Sequence, residues 1–196
     1  TLDHVGNGRN WGLDRRTDGL MINPPSYFGQ SDEASEIKTY FDSLKFFEDA
    51  SQEYIYIANP MIISRINISE AYEEFLSNEY DVMFLYRKQN DNDYEYLNAR
   101  KLVFDESGNP INIGTNLGTE SVFNMYIENM FIKKDLFMKL VKESVEKGDA
   151  NTLVRAIFNN KRNIRIGSLE LFRHVEYIRD LVSFYRSNLN LLDPGI

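Results

Sequence analysis

The chain is predicted to be an α/β protein: a three-layer, Rossmann-like mixed sheet with helices on both faces and a small antiparallel hairpin subdomain. Three observations predict it. Helical and strand-like periodicities alternate from Ser31 to Arg87, as in a parallel sheet with covering helices. The alternation then gives way to two short strands around Asp105-Glu106-Ser107-Gly108-Asn109, a hairpin turn. At 196 residues with 42% hydrophobic and 13% aromatic content, the chain can bury the core of one domain.

Each element follows from local chemistry. Residues 1–30 are rich in Gly, Asn and Arg and carry Pro24-Pro25, so they read as a long, partly extended loop. Ser31 or Asp32 caps a helix whose inward face is Ile37, Tyr40, Phe41, Leu44 and Phe47. Glu53 to Ala58 is a β-branched and aromatic strand, broken by Asn59-Pro60. Ser69 caps the next helix, with Ala71, Tyr72, Phe75 and Leu76 inward, and a strand follows over Asp81–Arg87. Leu97–Phe104 pairs with Pro110–Ile113 across the Asp105 turn. Val122–Ile132 is a long strand, Lys134 to about Lys147 a helix ended by Gly148-Asp149, and Asn151–Asn159 a shorter helix. Ile164–Ile166 and Leu169–Val175 are short strands before a last helix from about Arg179 to Leu191.

Composition removes several function classes. A net charge of −8 and a pI near 4.9 argue against a nucleic-acid backbone as partner. The absence of cysteine excludes disulfides and thiolate chemistry. No apolar run approaches the roughly 20 residues of a membrane span, and a cytoplasmic location is the expectation. His4 and His174, the two histidines, are too scattered for a His-based metal site or triad. Ser168, preceded by Gly167, lacks a base placed by strand spacing, and most carboxylates sit on helix faces or in turns. Gly6-Asn7-Gly8-Arg9-Asn10-Trp11-Gly12, with Arg15 and Arg16 beyond it, offers amides and cations to an anion or effector. The competing reading is a surface turn with Asp14 paired to an arginine.

The most informative stretch is Glu53 to Ile68, EYIYIANPMIISRINI. In a parallel α/β sheet, ligands and metals are held at the C-terminal ends of strands. Here that end carries Met61, Ile62 and Ile63 and no carboxylate. The run resembles the E-Y-V-x-x-L-x-G-D-H-I-Y run of sugar-nucleotide pyrophosphorylases, with Met61 at the metal-binding Asp. Tyr177 to Leu192, YIRDLVSFYRSNLNLL, resembles the D-V-G-T-I-x-S-Y-W-x-A-N-M-D-L-L run of bacterial ADP-glucose pyrophosphorylase (glucose-1-phosphate adenylyltransferase). Ser183, Phe184, Tyr185, Asn188, Leu191 and Leu192 keep its helix face, while the second metal Asp falls on Tyr177. The family's E-K-P, which helps hold the sugar phosphate, aligns with Thr115, Asn116 and Leu117.

This pattern of retained frame and missing charge resembles the D-type glycogen-biosynthesis subunit of Gram-positive bacteria, as does the opening LDHVGNGRNWGLDRR. The resemblance implies a nucleotidyltransferase-like domain over residues 1–196, read as an internal piece without the family's N-terminal glycine-rich loop or its C-terminal β-helix. It implies a regulatory, catalytically incompetent subunit, with Met61, Tyr177 and Asn116 at the positions of the two metal Asp and the sugar-phosphate Lys. No cofactor is expected in this segment, although active members use Mg²⁺. The implied partner is the catalytic subunit, in a hetero-oligomer, and an unpaired sheet edge implies self-association of this piece. Two alternatives stay open: an active adenylyltransferase using displaced carboxylates such as Glu128 or Glu176, and a sugar-phosphate or nucleotide sensor without turnover.

Overall fold

The computed structural model describes residues 2–15, 19–23 and 35–193. These form two compact units: Thr1–Ile55 with Lys133–Asn160, and Tyr56–Ile132 with Lys161–Ile196. The chain is mixed α/β with a mixed sheet, the class its periodicities predict.

The first unit is largely helical. The stretch expected to be loop contains α1 (Leu2–Val5) and a 3-10 turn at Arg9–Trp11. Local amide bonding drives that turn, because Trp11 and Leu13 both donate to the Gly8 carbonyl at 3.0 Å. Gly8 adopts φ 78° and is buried, and a Cβ there would lie 2.8 Å from Leu13 Cβ, so only glycine fits. The next helix is two pieces, α2 (Glu36–Asp42) and α3 (Leu44–Asp49), divided at Ser43. The expected caps Ser31 and Asp32 lie outside the described residues; Ser35 caps α2 by accepting from the Lys38 amide at 3.3 Å. Helix α5 (Lys134–Lys147) buries Phe137 against Tyr40 and Phe47, with ring centroids 5.1 and 4.8 Å away. Gly148 ends it in the left-handed region at φ 65°, as expected. Thr152 caps α6 (Leu153–Asn159) by accepting from the Arg155 amide.

The second unit is built on a sheet. Strand β1 (Tyr54–Ile57) leads into it and pairs with β6 (Val122–Lys133). Helix α4 (Ile68–Ser77) is capped by Asn67 rather than Ser69, since Asn67 already offers its side-chain oxygen to the Glu70 amide. Strand β3 (Val82–Asn90) is central, antiparallel to β6 and parallel to β7 (Ile166–Glu170). Its burial explains its composition: Val82, Met83, Phe84 and Leu85 are each 0% exposed. Phe131 of β6 stacks on Phe75 at 5.7 Å and contacts Tyr56 at 4.7 Å. The expected hairpin forms as β4 (Arg100–Phe104) and β5 (Pro110–Thr115). Asp105 Oδ1 closes its turn by accepting from the Ser107 and Asn109 amides.

Two features differ from the sequence expectation. The hairpin extends the main sheet, in the order β5-β4-β6-β3-β7. The separate antiparallel sheet is made by β2 (Ile62–Ser64) and β8 (Val175–Tyr177). Three-residue strands carry too little period-2 signal to be read in advance, and long-range pairing creates them. Helix α7 (Leu181–Asn190) starts at Asp180 with a reciprocal capping box to Ser183.

Candidate functional site

Pairing of β2 with β8 brings the two distant motif segments together. Ile62 stands opposite Tyr177, and the Ile178 amide donates to the Met61 carbonyl at 2.8 Å. Met61, just before β2, and Tyr177 of β8, 116 positions apart in sequence, are therefore one register step apart. Met61 lies in the turn that Asn59-Pro60 imposes, and it is 48% exposed.

A network of amides pins that turn. Asn59 Oδ1 accepts from the Met61 amide at 2.9 Å, and the Asn59 amide donates to Asn129 Oδ1 at 3.2 Å. Asn129, 3% exposed, donates in turn to the Tyr56 hydroxyl at 2.9 Å. Asn59 Nδ2 donates to Glu128 Oε2 at 3.0 Å, and Arg100 Nη1 lies 3.8 Å from that carboxylate. Burial, then the charge of Glu128, raises the Tyr177 phenol above its ordinary value, with Arg179 and Arg100 opposing. At neutral pH Tyr177 is a neutral phenol.

Beside this lies a cleft of about 240 Å³ whose walls include Arg87, Tyr96, Glu176, Tyr177, Arg179 and Arg186. The Arg179 guanidinium sits 5.8 Å from the ring centres of both Tyr96 and Tyr177. Arg186 pairs with Glu95, and Arg87 donates to the Arg173 carbonyl at 3.1 Å. Glu176, 8% exposed, is committed to structure: it accepts from Ser187 Oγ and Asn190 Nδ2, each at 2.8 Å, and bonds His174 Nε2. It fastens α7 to β8 and is not displaced toward Met61.

Burial by itself would raise the Glu176 carboxyl, but bonds from Asn190, Ser187 and His174 together hold it below the ordinary glutamate value. A depressed folded-state value stabilises above the unfolded pKa, near 4.5, and that contribution is lost as pH falls through the lower folded value. Glu176→Gln should therefore cost about 1–2 kcal/mol at pH 7. Its melting temperature should approach that of the wild type as pH falls below the unfolded pKa and meet it below the folded value. A gap between the two that stays constant from pH 7 to 3 would contradict the assignment.

Asn116 is not in the cleft wall. It is 1% exposed, and its Nδ2 donates to Asp91 Oδ2 at 2.7 Å and to the Tyr96 carbonyl at 3.0 Å. Its Oδ1 accepts from the Gly118 amide at 3.0 Å. It ties down the loop between β3 and β4, a role no local sequence signal announced. The anion candidates Arg9 and Arg15 are exposed in the first unit, with no ion pair or side-chain hydrogen bond to a described residue. Arg16 lies outside the described residues, and Asp14 pairs with no described arginine. His4 packs edge-on against Trp11 at 5.8 Å.

The donors around Met61 and Tyr177 do not fit the Mg²⁺ that the fold family implies. A hard cation takes oxygen ligands, carboxylates above all. Here it would meet a thioether, a neutral phenol and one carboxylate already held by Asn59 and Arg100. Among the described residues, no group of three or more His, Cys, Asp or Glu side chains is placed to hold a metal. Nor is any described helix long and apolar enough to cross a membrane.

No family model matches the chain. It is 33% identical over 66 residues to the glycogen biosynthesis protein GlgD of Bacillus subtilis, covering 33% of this chain and 19% of that protein. Against GlgD of Geobacillus stearothermophilus it is 28% identical over 83 residues, covering 41% and 24%. Against a glucose-1-phosphate adenylyltransferase of Lachnospira eligens it is 25% identical over 207 residues, covering 97% and 45%. The chain thus spans less than half the length of these curated relatives. Among solved structures, a protein described as a glucose-1-phosphate thymidylyltransferase from Bacillus anthracis matches with a TM-score of 0.67 at 13% identity, over 98% of this chain and 71% of that one. HddC from Yersinia pseudotuberculosis matches with a TM-score of 0.63 at 10% identity, over 97% and 75%. At those identities the structures speak for the fold alone. The chain is thus similar in sequence to GlgD glycogen-biosynthesis proteins and to a glucose-1-phosphate adenylyltransferase, and it shares the fold of the two solved structures.

Proposed function

We propose that this chain belongs to a regulatory, catalytically incompetent subunit of ADP-glucose pyrophosphorylase in bacterial glycogen synthesis, acting in the cytoplasm. One observation supports the reading: the pairing of β2 with β8 brings Met61, just before β2, within one register step of Tyr177, and these are the two positions that the motif resemblance aligns with the family's metal-binding Asp residues. In this reading the scaffold that would align two carboxylates is kept and the carboxylates are missing. Names of relatives support the pathway, since two of them are GlgD proteins and a third is a glucose-1-phosphate adenylyltransferase. The partner in this reading is the catalytic subunit, bound in a hetero-oligomer that tunes its turnover. No cofactor of its own is needed. The chain of residues 1–196 is proposed to self-associate through an unpaired sheet edge.

An active enzyme with displaced carboxylates is the less supported reading, because Glu176 is locked into α7 and Glu128 is clamped by Asn59 and Arg100. The test is an assay of the full-length protein carrying this chain, alone and mixed with a catalytic partner, supplied with ATP, glucose 1-phosphate and Mg²⁺. We expect no ADP-glucose from the protein alone and an altered rate in the mixture. Metal-dependent turnover by the protein alone would overturn the proposal. Ligand-induced melting shifts without turnover or partner effect would point to the sensor.

A further inference from the structure

Glu128 sits where a side chain is costly. Four described non-glycine residues have positive φ, namely Glu79, Tyr94, Asn98 and Glu128, and Glu128 alone lies within a strand. Its φ of 52° falls in the left-handed region, which disfavours every residue with a Cβ and suits glycine. The cause is visible in the register: β6 pairs Asn129 with Leu85 and Tyr126 with Tyr86 of β3, so Ile127 and Glu128 have no partner on β3 and form a bulge. A bulge re-aims a side chain, and strain of this kind persists where the surroundings over-determine it.

The surroundings do so here. Asn59 donates to the Glu128 carboxylate at 3.0 Å, Arg100 lies 3.8 Å from it, and the carboxylate is close enough to Tyr177 to raise its phenol. The same Asn59 side chain holds the Met61 amide. A negative charge is thereby tied through Asn59 to the turn that carries Met61, with only 22% of its side chain exposed.

We propose that Glu128, a carboxylate aimed by the β6 bulge and held by Asn59 and Arg100, closes the turn that carries Met61, one register step from Tyr177, to anionic ligands. The proposal rests on the location of the site adopted above and adds a blocking residue to it. The carboxylate already satisfies the Asn59 amide and the Arg100 guanidinium, two donors that an incoming phosphate would otherwise use. It repels a second anion at the same place.

The test is calorimetric titration of glucose 1-phosphate into the chain itself, comparing wild type with Glu128→Gly and Glu128→Gln. Removing both the side chain and the strain should give at least tenfold tighter binding in Glu128→Gly, with a melting temperature at or above that of Glu128→Ala. Glu128→Gln keeps the bulk and removes the charge, so its gain should be smaller but at least threefold. Should the glycine variant fail to fold, the glutamine variant decides alone. Folded variants that bind no tighter than wild type overturn the proposal, as does no binding by any of them. No catalytic partner takes part, so failure of the regulatory reading would leave a positive result standing, and the reverse holds equally.

Discussion

Met61→Asp combined with Tyr177→Asp is expected to give a chain that binds Mn²⁺ at this place. The change supplies oxygen ligands, which a hard cation requires and which methionine and tyrosine do not provide. The backbone is ready for them: Ile62 faces Tyr177, and the Ile178 amide bonds the Met61 carbonyl. Met61 precedes the first paired residue of β2, so the alternation of a strand does not dictate where its side chain points. At 48% exposure, an Asp there stays hydrated before metal arrives, and folding should survive. Glu128 would become a third carboxylate within electrostatic reach of position 177. Calorimetry and Mn²⁺ relaxation are the measurements. A well-folded double variant that gives no Mn²⁺ uptake would mean that the cleft has diverged from the frame in more than its ligands.

Asn116→Leu is expected to destabilise the chain by about 3 kcal/mol, a large loss for a polar-to-apolar change of similar volume. Leucine fills the space but leaves the buried Asp91 carboxylate without one of its donors and the Gly118 amide without its acceptor. Asp91 is 4% exposed, so water does not readily replace the lost bond. It keeps the Tyr96 amide at 2.8 Å, which limits the damage to one oxygen. Urea denaturation provides the number, and a loss under roughly 1 kcal/mol would show that the loop holds itself by other means. The same geometry makes Asn116→Lys an unpromising way to restore a sugar-phosphate cation. An ammonium group at this site would start inside the loop, next to Asp91, and not in the cleft.

Much of the local architecture was legible in residue order because short-range physics decides it. Lys134–Lys147 has helical periodicity with Gly148 after it, and it is a helix with those bounds, ended by glycine in the left-handed region. The Asp105 to Asn109 turn was readable because an Asp side chain can bond amides two and four residues on. Resemblance in two motifs, at Glu53–Ile68 and Tyr177–Leu192, pointed to the fold that solved structures share.

Other features depend on which distant segments meet, and no local signal reports that. Three-residue strands β2 and β8 exist only because they pair with one another, and their pairing sets Met61 beside Tyr177. Asn116 looked like a replaced cleft residue in the alignment, yet long-range bonds to Asp91 turn it inward. Glu176 was a candidate ligand by residue type, and tertiary packing spends its carboxylate on Ser187 and Asn190 of α7. The bulge that carries Glu128 arises where β3 and β6 change register, a cross-strand event invisible within either strand. By itself the sequence determined the α/β class and most elements. Which polar side chains face the cleft was decided by the tertiary structure, because hydrogen-bond partners drawn from opposite ends of the chain compete for each of them.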